Sequence, residues 1–256
     1  MAGKTSLLVT LVFVSFVGFA GALGCGGSSE SPPQPLKTHF DDMYIAQIPL
    51  EQKQAVVQAQ NDYSVAKMER AKAEADLSEA NAAVEVAKND RKSAGNSLDS
   101  AVTNKKQAEA SGDQNRVNEA ARALRAAELA KKAAEKRVSY LEAYRNWLKK
   151  HAVHAEEAMY WREAQYETAK ADVAQKNNIS PKNFKFAEYP AQDADRQKRA
   201  QKAKERAEGD HNKAKNARQE WLRQQAEADE ANGRSSDLPD PMGKSESSTS
   251  ESTSQS

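Results

Sequence analysis

Three side chains that could bind a metal ion follow one another in the pattern His151-x-x-His154-x-x-Glu157. Spacings of three residues place them on one face of a helix, and imidazole and carboxylate groups are zinc ligands. A site spread over two turns of one helix needs a second helix to complete it, and Trp147 and Trp161 flank the pattern. The pattern is therefore more typical of packing than of a metal site, and we expect no cofactor.

Cys25 is the single cysteine among the 256 residues, so no disulfide can form within one chain. A basic residue at Lys4, an apolar run over 6–19 and small residues over 20–24 precede it, which is the order of a secretory signal. An ordinary cleaved signal or a membrane-spanning anchor are the alternatives. The run is short for a spanning helix, and Gly18 and Gly21 interrupt it.

Residues 1–25 resemble the signal and lipobox of bacterial lipoproteins, in which Leu23, Gly24 and Cys25 occupy the matching positions. Ala22 departs from that pattern, because Leu is the commoner residue there. The resemblance implies cleavage before Cys25 and attachment of acyl chains such as palmitate to it, which would hold the protein on a membrane. Gly26 follows, where an Asp favours the inner membrane in enterobacterial lipoproteins. The resemblance thus favours the outer membrane of a bacterial cell envelope, with the body in the periplasm.

The composition favours long helices over a catalytic globule. Charged residues make up 29% of the chain and aromatic residues 6%, and the remainder is rich in alanine. With a net charge of only +1, the chain has no overall field that would attract a polyanion, so we expect no nucleic acid as partner. The sequence has no Gly-rich phosphate loop, HExxH pattern or nucleophile elbow, and we expect no enzyme activity.

Two heptad arrays predict an antiparallel coiled-coil hairpin. In the first, alanines recur every seven residues from Ala59 to Ala108, and Arg70 and Arg91 stand in the same stripe. Gly112 can end a helix and Asp113 can cap the next, which places the tip near 111–113. The alternative is one uninterrupted helix that dimerises in parallel. The second array is Val117, Leu124, Lys131, Val138, Arg145, Ala152, Met159, Tyr166 and Val173, with a companion set three residues later.

Large rings lie beside the second array and predict a third helix that covers them. The register Ala200, Ala207, Ala214, Trp221 and Ala228 predicts this helix, which folds back so that Trp221 nears Tyr144 and Trp147. The expected fold is all-α: a long antiparallel coiled-coil hairpin, a third helix packed on its base, and disordered termini. The rings are Tyr140, Tyr144, Trp147, His151, His154 and Trp161.

The predicted boundaries follow from these patterns. We expect a signal peptide over 1–24, an acylated cysteine and tether over 25–49, and the hairpin over 50–175. A loop over 176–190, a third helix over 191–232 and a disordered Ser/Thr-rich tail over 233–256 complete the chain. The apolar residues between 36 and 48 predict that the end of the tether docks onto the helices.

Basic residues open the third helix and have two interpretations. A solvated face balanced by Glu205, Glu208 and Asp210 is favoured over contact with anionic lipid or glycan. The residues are Arg196, Lys198, Arg199, Lys202, Lys204 and Arg206.

The favoured function is that of a lipid-anchored structural or scaffolding protein of the envelope. The alternative is a binding module that docks an envelope machine through its tip at Gly112, similar to the hairpins of periplasmic export adaptors, although no β-rich stretch flanks this hairpin. Without acylation of Cys25 the chain would be a secreted helical protein. We expect any peptidoglycan contact to be non-covalent, because the chain ends in Ser256 and not in the lysine of murein lipoproteins. The sequence leaves self-association open, and Trp147, Trp161 and Trp221 are the other interaction candidates.

Overall fold

Three long helices make up most of the fold in this computed structural model, which describes residues 32–181 and 184–243. Helix α1 spans Gln54–Ser111, α2 spans Gln114–Lys176 and α3 spans Glu188–Asn232. Two 3₁₀ helices, Asp42–Ile45 and Leu50–Gln52, precede α1, and the described residues contain no strand. The predicted all-α class, with a hairpin and a packed third helix, is confirmed.

The hairpin turns at the predicted residues. Gly112 takes the left-handed conformation, with φ of 70°, and its N–H donates to the carbonyl of Glu109. Asp113 then caps α2, because its carboxylate accepts hydrogen bonds from the N–H groups of Asn115 and Arg116. The chain thus reverses within two residues, and the single continuous helix is excluded.

Helices α1 and α2 pack through a seam of small residues with ion pairs at its edges. Lys88 Nζ lies 3.9 Å from the carboxylate of Glu142, and Arg70 lies 3.7 Å from that of Glu156. This register places Leu77 at the level of Leu148, as predicted. Arg70 therefore forms one of the interhelical ion pairs considered from the sequence, whereas Arg91 is exposed. The buried seam residues of α1 are Val56, Ala66, Ala73, Ala80, Val84, Ala87, Ala101 and Ala108.

Helix α3 runs antiparallel to α2 on another face of that helix. Every residue of its predicted heptad register is buried. Trp221 stacks on Tyr140 with ring centroids 5.2 Å apart, and Trp147 meets His211 at 4.5 Å. Trp221 is therefore about one turn from the predicted position beside Tyr144, although Trp221, Tyr140, Tyr144 and Trp147 belong to one apolar cluster.

The hairpin extends beyond α3 at the tip. Glu220 pairs with Lys136 of α2 at 3.3 Å, and α3 ends twelve residues later. From Lys136 to the start of α2 there are 22 residues. At 1.5 Å per residue, α2 and its partner α1 therefore extend about 15 Å past the end of α3.

The base of the bundle differs in detail from the predicted boundaries. Helix α3 begins at Glu188 instead of 191, so Pro190 lies in its first turn, where a missing N–H costs nothing. Phe40, Ile45 and Ile48 are buried against the end of α2 and against Tyr189, which confirms the docking expected of residues 36–48.

The tail prediction is wrong for residues 233–243. After Gly233 the chain turns back along the bundle, and Met242 is only 3% exposed, in the cluster of Tyr140 and Trp221. Tyr140 donates from its hydroxyl to Asp240 at 2.7 Å, and Arg218 pairs with the same carboxylate. The segment was predicted to be disordered because it contains two prolines and few apolar residues.

Within the described residues, no helix is apolar over enough of its length to span a bilayer. The predicted signal over 1–24 and the acylation site Cys25 lie outside these residues.

Candidate functional site

The carboxylate of Glu157, the third predicted metal ligand, forms ion pairs with two arginines of α3. Its carboxylate accepts hydrogen bonds from Nη2 and Nε of Arg199, at 2.8 and 3.1 Å, and lies 3.7 Å from Arg196. Both Glu157 and Arg196 are buried, so the ion pairs compensate the charge that each brings out of water. Two of the six basic residues at the start of α3 are therefore internal partners and not part of a solvated face.

His151 and His154 pack as aromatic rings. Their centroids are 6.0 Å apart, and His151 lies 5.9 Å from Trp147. Burial lowers the pKa of both imidazoles, which favours the neutral forms. Among the described residues, no three metal-ligating side chains lie close enough to hold an ion.

The aromatic stripe of α2 is largely covered by α3 and the returning chain. Trp221 is 2% exposed and belongs to the core, while Trp147 is half-buried beside Tyr144 and His211. Burial, and the hydrogen bond to Asp240, raise the pKa of the Tyr140 hydroxyl above its ordinary value. Trp221 and Tyr140 thus stabilise the fold and are not available to a ligand.

A lateral groove runs between α1 and α3, with α2 as its floor. Ala66 and Glu69 of α1 form one side, and His154 and Trp161 contribute to the floor. Its volume is about 790 Å³, and its α3 side includes Lys198, Lys202, Lys204 and Glu205. The indole N–H of Trp161 donates to Asp193 at 2.9 Å. The groove is open and of mixed charge, which suits a surface contact better than catalysis.

A polar site with many hydrogen bonds lies where the sequence did not predict one. Side chains of α2 and α3 bind the backbone of residues 35–40, here called the docked segment. Lys170 donates to the carbonyl of Phe40 at 2.8 Å, and Glu167 accepts from the N–H of the same residue. Gln192 bonds the N–H groups of Lys37 and Thr38 and the carbonyl of Thr38. Farther along, Arg196 donates to the carbonyl of Pro35 at 2.9 Å, and Tyr189 to that of His39.

Lys170 and Glu167 form a buried ion pair beneath the docked segment. Their charged atoms are 2.9 Å apart, and Asp42 accepts a further hydrogen bond from Lys170. Burial alone would lower the pKa of Lys170, but the bonds to Asp42 and Glu167 outweigh it and raise the pKa. The ammonium therefore remains charged, and its contacts fix where the docked segment lies.

The tip of the hairpin is exposed. Gly112 and Asp113 are open to solvent, as are Lys106, Glu109 and Arg116 around them. Apart from Gly112 itself and its two neighbours in the chain, no atom lies within 4 Å of where a side chain at this position would begin. The tip therefore offers a small surface with charges of both signs.

Comparison with models of protein families, with curated proteins and with solved structures gave no match.

Proposed function

We propose that this chain is a lipid-anchored coiled-coil protein of the bacterial cell envelope with a structural or scaffolding role. The observation that supports the proposal most is the single Cys25 behind a lipoprotein-type signal. In the proposed mature form, Cys25 holds acyl chains in the membrane, by resemblance the outer one, and the helices lie in the periplasm. Two or three acyl chains would give a stable anchor, since each buried CH₂ contributes about 0.8 kcal/mol.

The docked segment supports this role because it shortens the link between the anchor and the helices. Pro35, where the docked segment begins, is ten steps along the chain from Cys25. Extended at about 3.6 Å per step, this stretch reaches at most about 36 Å. The anchor therefore leads into the bundle through a short connection, as suits a scaffold held close to a surface.

The helix lengths also suit a spacer or scaffold. Helix α1 has 58 residues and α2 has 63, which correspond to about 87 and 95 Å. The described part of the chain offers long faces for other proteins and an open groove between α1 and α3. Envelope proteins or peptidoglycan, bound without a covalent link, are the partners that we propose.

Metabolic labelling with a radioactive fatty acid in a bacterial host tests the anchor. We expect label and membrane association in the wild type and neither in Cys25→Ser. A matched variant combines Cys25→Ser with Ser29→Cys, which keeps one thiol but moves it outside the lipobox, and it should also stay unlabelled. An unlabelled, soluble wild type would refute the anchor and leave a secreted helical protein.

A second candidate function is docking of an envelope machine through the tip. The supporting observation is that α1 and α2 extend past the end of α3 and expose Gly112. A photo-crosslinking residue at Asn115 should then capture a protein partner in the envelope, whereas one at Glu74 should not. Capture of lipid or of the same chain alone from Asn115 would contradict this function.

A further inference from the structure

The groove between α1 and α3 has a filled part and an open part. Tyr140, Trp147, His154 and Trp161 follow one another every seven residues, which places them along one face of α2. At the Tyr140 end the returning chain covers this face, because Met242 packs in one cluster with Tyr140 and with residues of α1 and α3. At the other end, from His154 to Trp161, the same face is the floor of the open groove. The returning chain thus fills the groove on the side of the tip and leaves it open nearer the base.

The returning chain runs toward the open part. Ser236 donates from its N–H to Asp229 at 3.0 Å, near the end of α3. Asp240 then pairs with Arg218, which is eleven residues, or about 16 Å, nearer the base. Gly243 also lies beside Arg218, since a side chain at this position would begin 3.1 Å from Nη2 of that residue. The chain after Gly243 therefore starts within reach of the open part.

Two lysines on the α3 side of the open part have no carboxylate partner. Lys198 and Lys202 are exposed and one helical turn apart, and among the described residues neither forms an ion pair or a hydrogen bond. They give the lining its excess of positive charge, which suits a ligand that carries a carboxylate. The other charged residues of the lining balance one another: Glu69, Glu205, Arg162 and Lys204.

The next residues of the chain have the length to fill the open part. Residues 244–253 lie outside the described range, and Glu251 among them is eight steps from Gly243. At about 3.4 Å per step, an extended chain carries Glu251 about 27 Å from Gly243. Along α3, Lys202 and Lys198 are 16 and 20 residues from Arg218, or about 24 and 30 Å. An extended course along the groove therefore brings Glu251 level with the two lysines.

We propose that residues 244–253, here called the distal tail, bind along the open part of the groove, with the carboxylate of Glu251 between Lys198 and Lys202. Seven of these ten residues are serine or threonine, and their short side chains suit a groove whose lining includes an alanine from each of the three helices. The distal tail would cover this surface, so any partner that binds there would have to displace it. The inference goes beyond the proposed function and does not depend on acylation of Cys25.

Photo-crosslinking in the full-length chain, in detergent solution, tests the proposal. A benzophenone amino acid at Thr249 should link to residues 197–205 of α3 or 154–162 of α2, as located by mass spectrometry of the digested chain. Mixing chains of natural and heavy isotope composition distinguishes links within one chain from links between two. At micromolar concentration, links within one chain should exceed links between chains at least about tenfold.

Charge reversal tests the contact of Glu251. Glu251→Lys, and separately Lys198→Glu with Lys202→Glu, should each lower the yield of groove links at least about threefold, because each places like charges together. Combining all three substitutions restores opposite charges and should return the yield to within about twofold of the parent. Lys106→Glu with Lys149→Glu, the same reversals at exposed lysines outside the groove, should leave the yield unchanged. Circular dichroism should show the parent's helix content in each variant, since all four lysines are exposed.

Four outcomes would overturn the proposal. Links spread along the bundle without an excess in the groove would do so, as would yields that neither reversal lowers. Links mainly between light and heavy chains would place the distal tail of a second copy in the groove. Groove links that are absent, together with binding of phosphatidylglycerol vesicles that requires Lys198 and Lys202, would make a lipid surface the occupant. Cys25→Ser should give the same links as the parent, so this proposal and that of the anchor fail separately.

Discussion

At the scale of single residues, buried charges define how the elements of this fold meet. An alanine-rich seam gains little from each apolar contact, because a methyl group buries little area. The ion pairs of Glu157 and of Lys170 join particular turns of α2 to α3 and to the docked segment. These ion pairs favour one register of α2 against α3 and the docked segment, where apolar packing alone would allow several registers.

Glu157→Ala tests this role. The substitution leaves Arg196 buried without its carboxylate, and we expect the free energy of unfolding to fall by about 3 kcal/mol. Guanidinium denaturation followed by circular dichroism measures it. Glu74→Ala removes an exposed carboxylate that pairs with Arg70, and should cost less than about 1 kcal/mol. Equal losses in the two variants would contradict the role assigned to Glu157.

The paired histidines predict a pH dependence of stability. His151 and His154 have pKa values below the ordinary 6.5 in the folded state, mainly through burial. The unfolded chain therefore binds their protons first, so stability is fully present above about pH 6.5 and falls below it until the folded-state pKa values are passed. The charged groups that act on the two rings are Lys72, Asp76, Glu69, Lys204 and Glu208.

Denaturation at several pH values between about 7.5 and 5 measures this dependence. The double variant His151→Gln, His154→Gln should flatten the curve in that range. A wild-type stability that rises on acidification through that range would refute the prediction.

At the scale of elements, the sequence predicts the helices and the turn well, and it predicts poorly how the segments outside the helices dock onto them. Heptad spacing located the seams of α1 and α3, and Gly112 with Asp113 located the turn, because both signals are local. The docked segment was predicted only as a few apolar anchors. Glu167 and Lys170 read in the sequence as an ordinary surface pair three residues apart, and nothing local shows that the backbone of Phe40 will cover them.

Alanine substitutions at two glycines, one in the turn and one inside α1, test the assignment of the hairpin turn. Gly112 has φ of 70°, so Gly112→Ala should destabilise the fold by about 1 kcal/mol. Gly95 lies inside α1 with open space around it, and Gly95→Ala should stabilise by about 0.5–1 kcal/mol. Thermal unfolding of both variants measures the difference. A shift of the same sign in both would contradict the assignment of Gly112 as the turn.

At the scale of the whole described chain, residues distant in sequence close the fold at both ends. The docked segment covers the base, and residues 233–243 return along α2 and α3 to cover Tyr140 and Trp221. The sequence could not reveal the second contact, because Asp240 and Met242 stand in a short polar segment beside two prolines. Tyr140, which both residues contact, is about 100 residues earlier in the chain.

Met242→Ala tests the returning chain. The methionine is buried against the ring cluster, so its truncation should lower the free energy of unfolding by about 2 kcal/mol. The fluorescence of Trp221 should shift to longer wavelength as water reaches its ring. Met68→Ala truncates an exposed methionine and should leave both unchanged. A native-like spectrum and stability in Met242→Ala would show that this contact does not hold the chain.

The direction of the docked segment has a mechanical consequence. Its contacts follow one another from Arg196 at Pro35, through Gln192 and Tyr189, to Lys170 at Phe40. If Cys25 is held in a membrane, a load on the bundle reaches the Pro35 contact first and the remaining bonds in turn. A steady pull directed away from the bundle would therefore detach the docked segment one contact at a time. Each lost contact would lengthen the connection between Cys25 and the helices before the three helices bear tension.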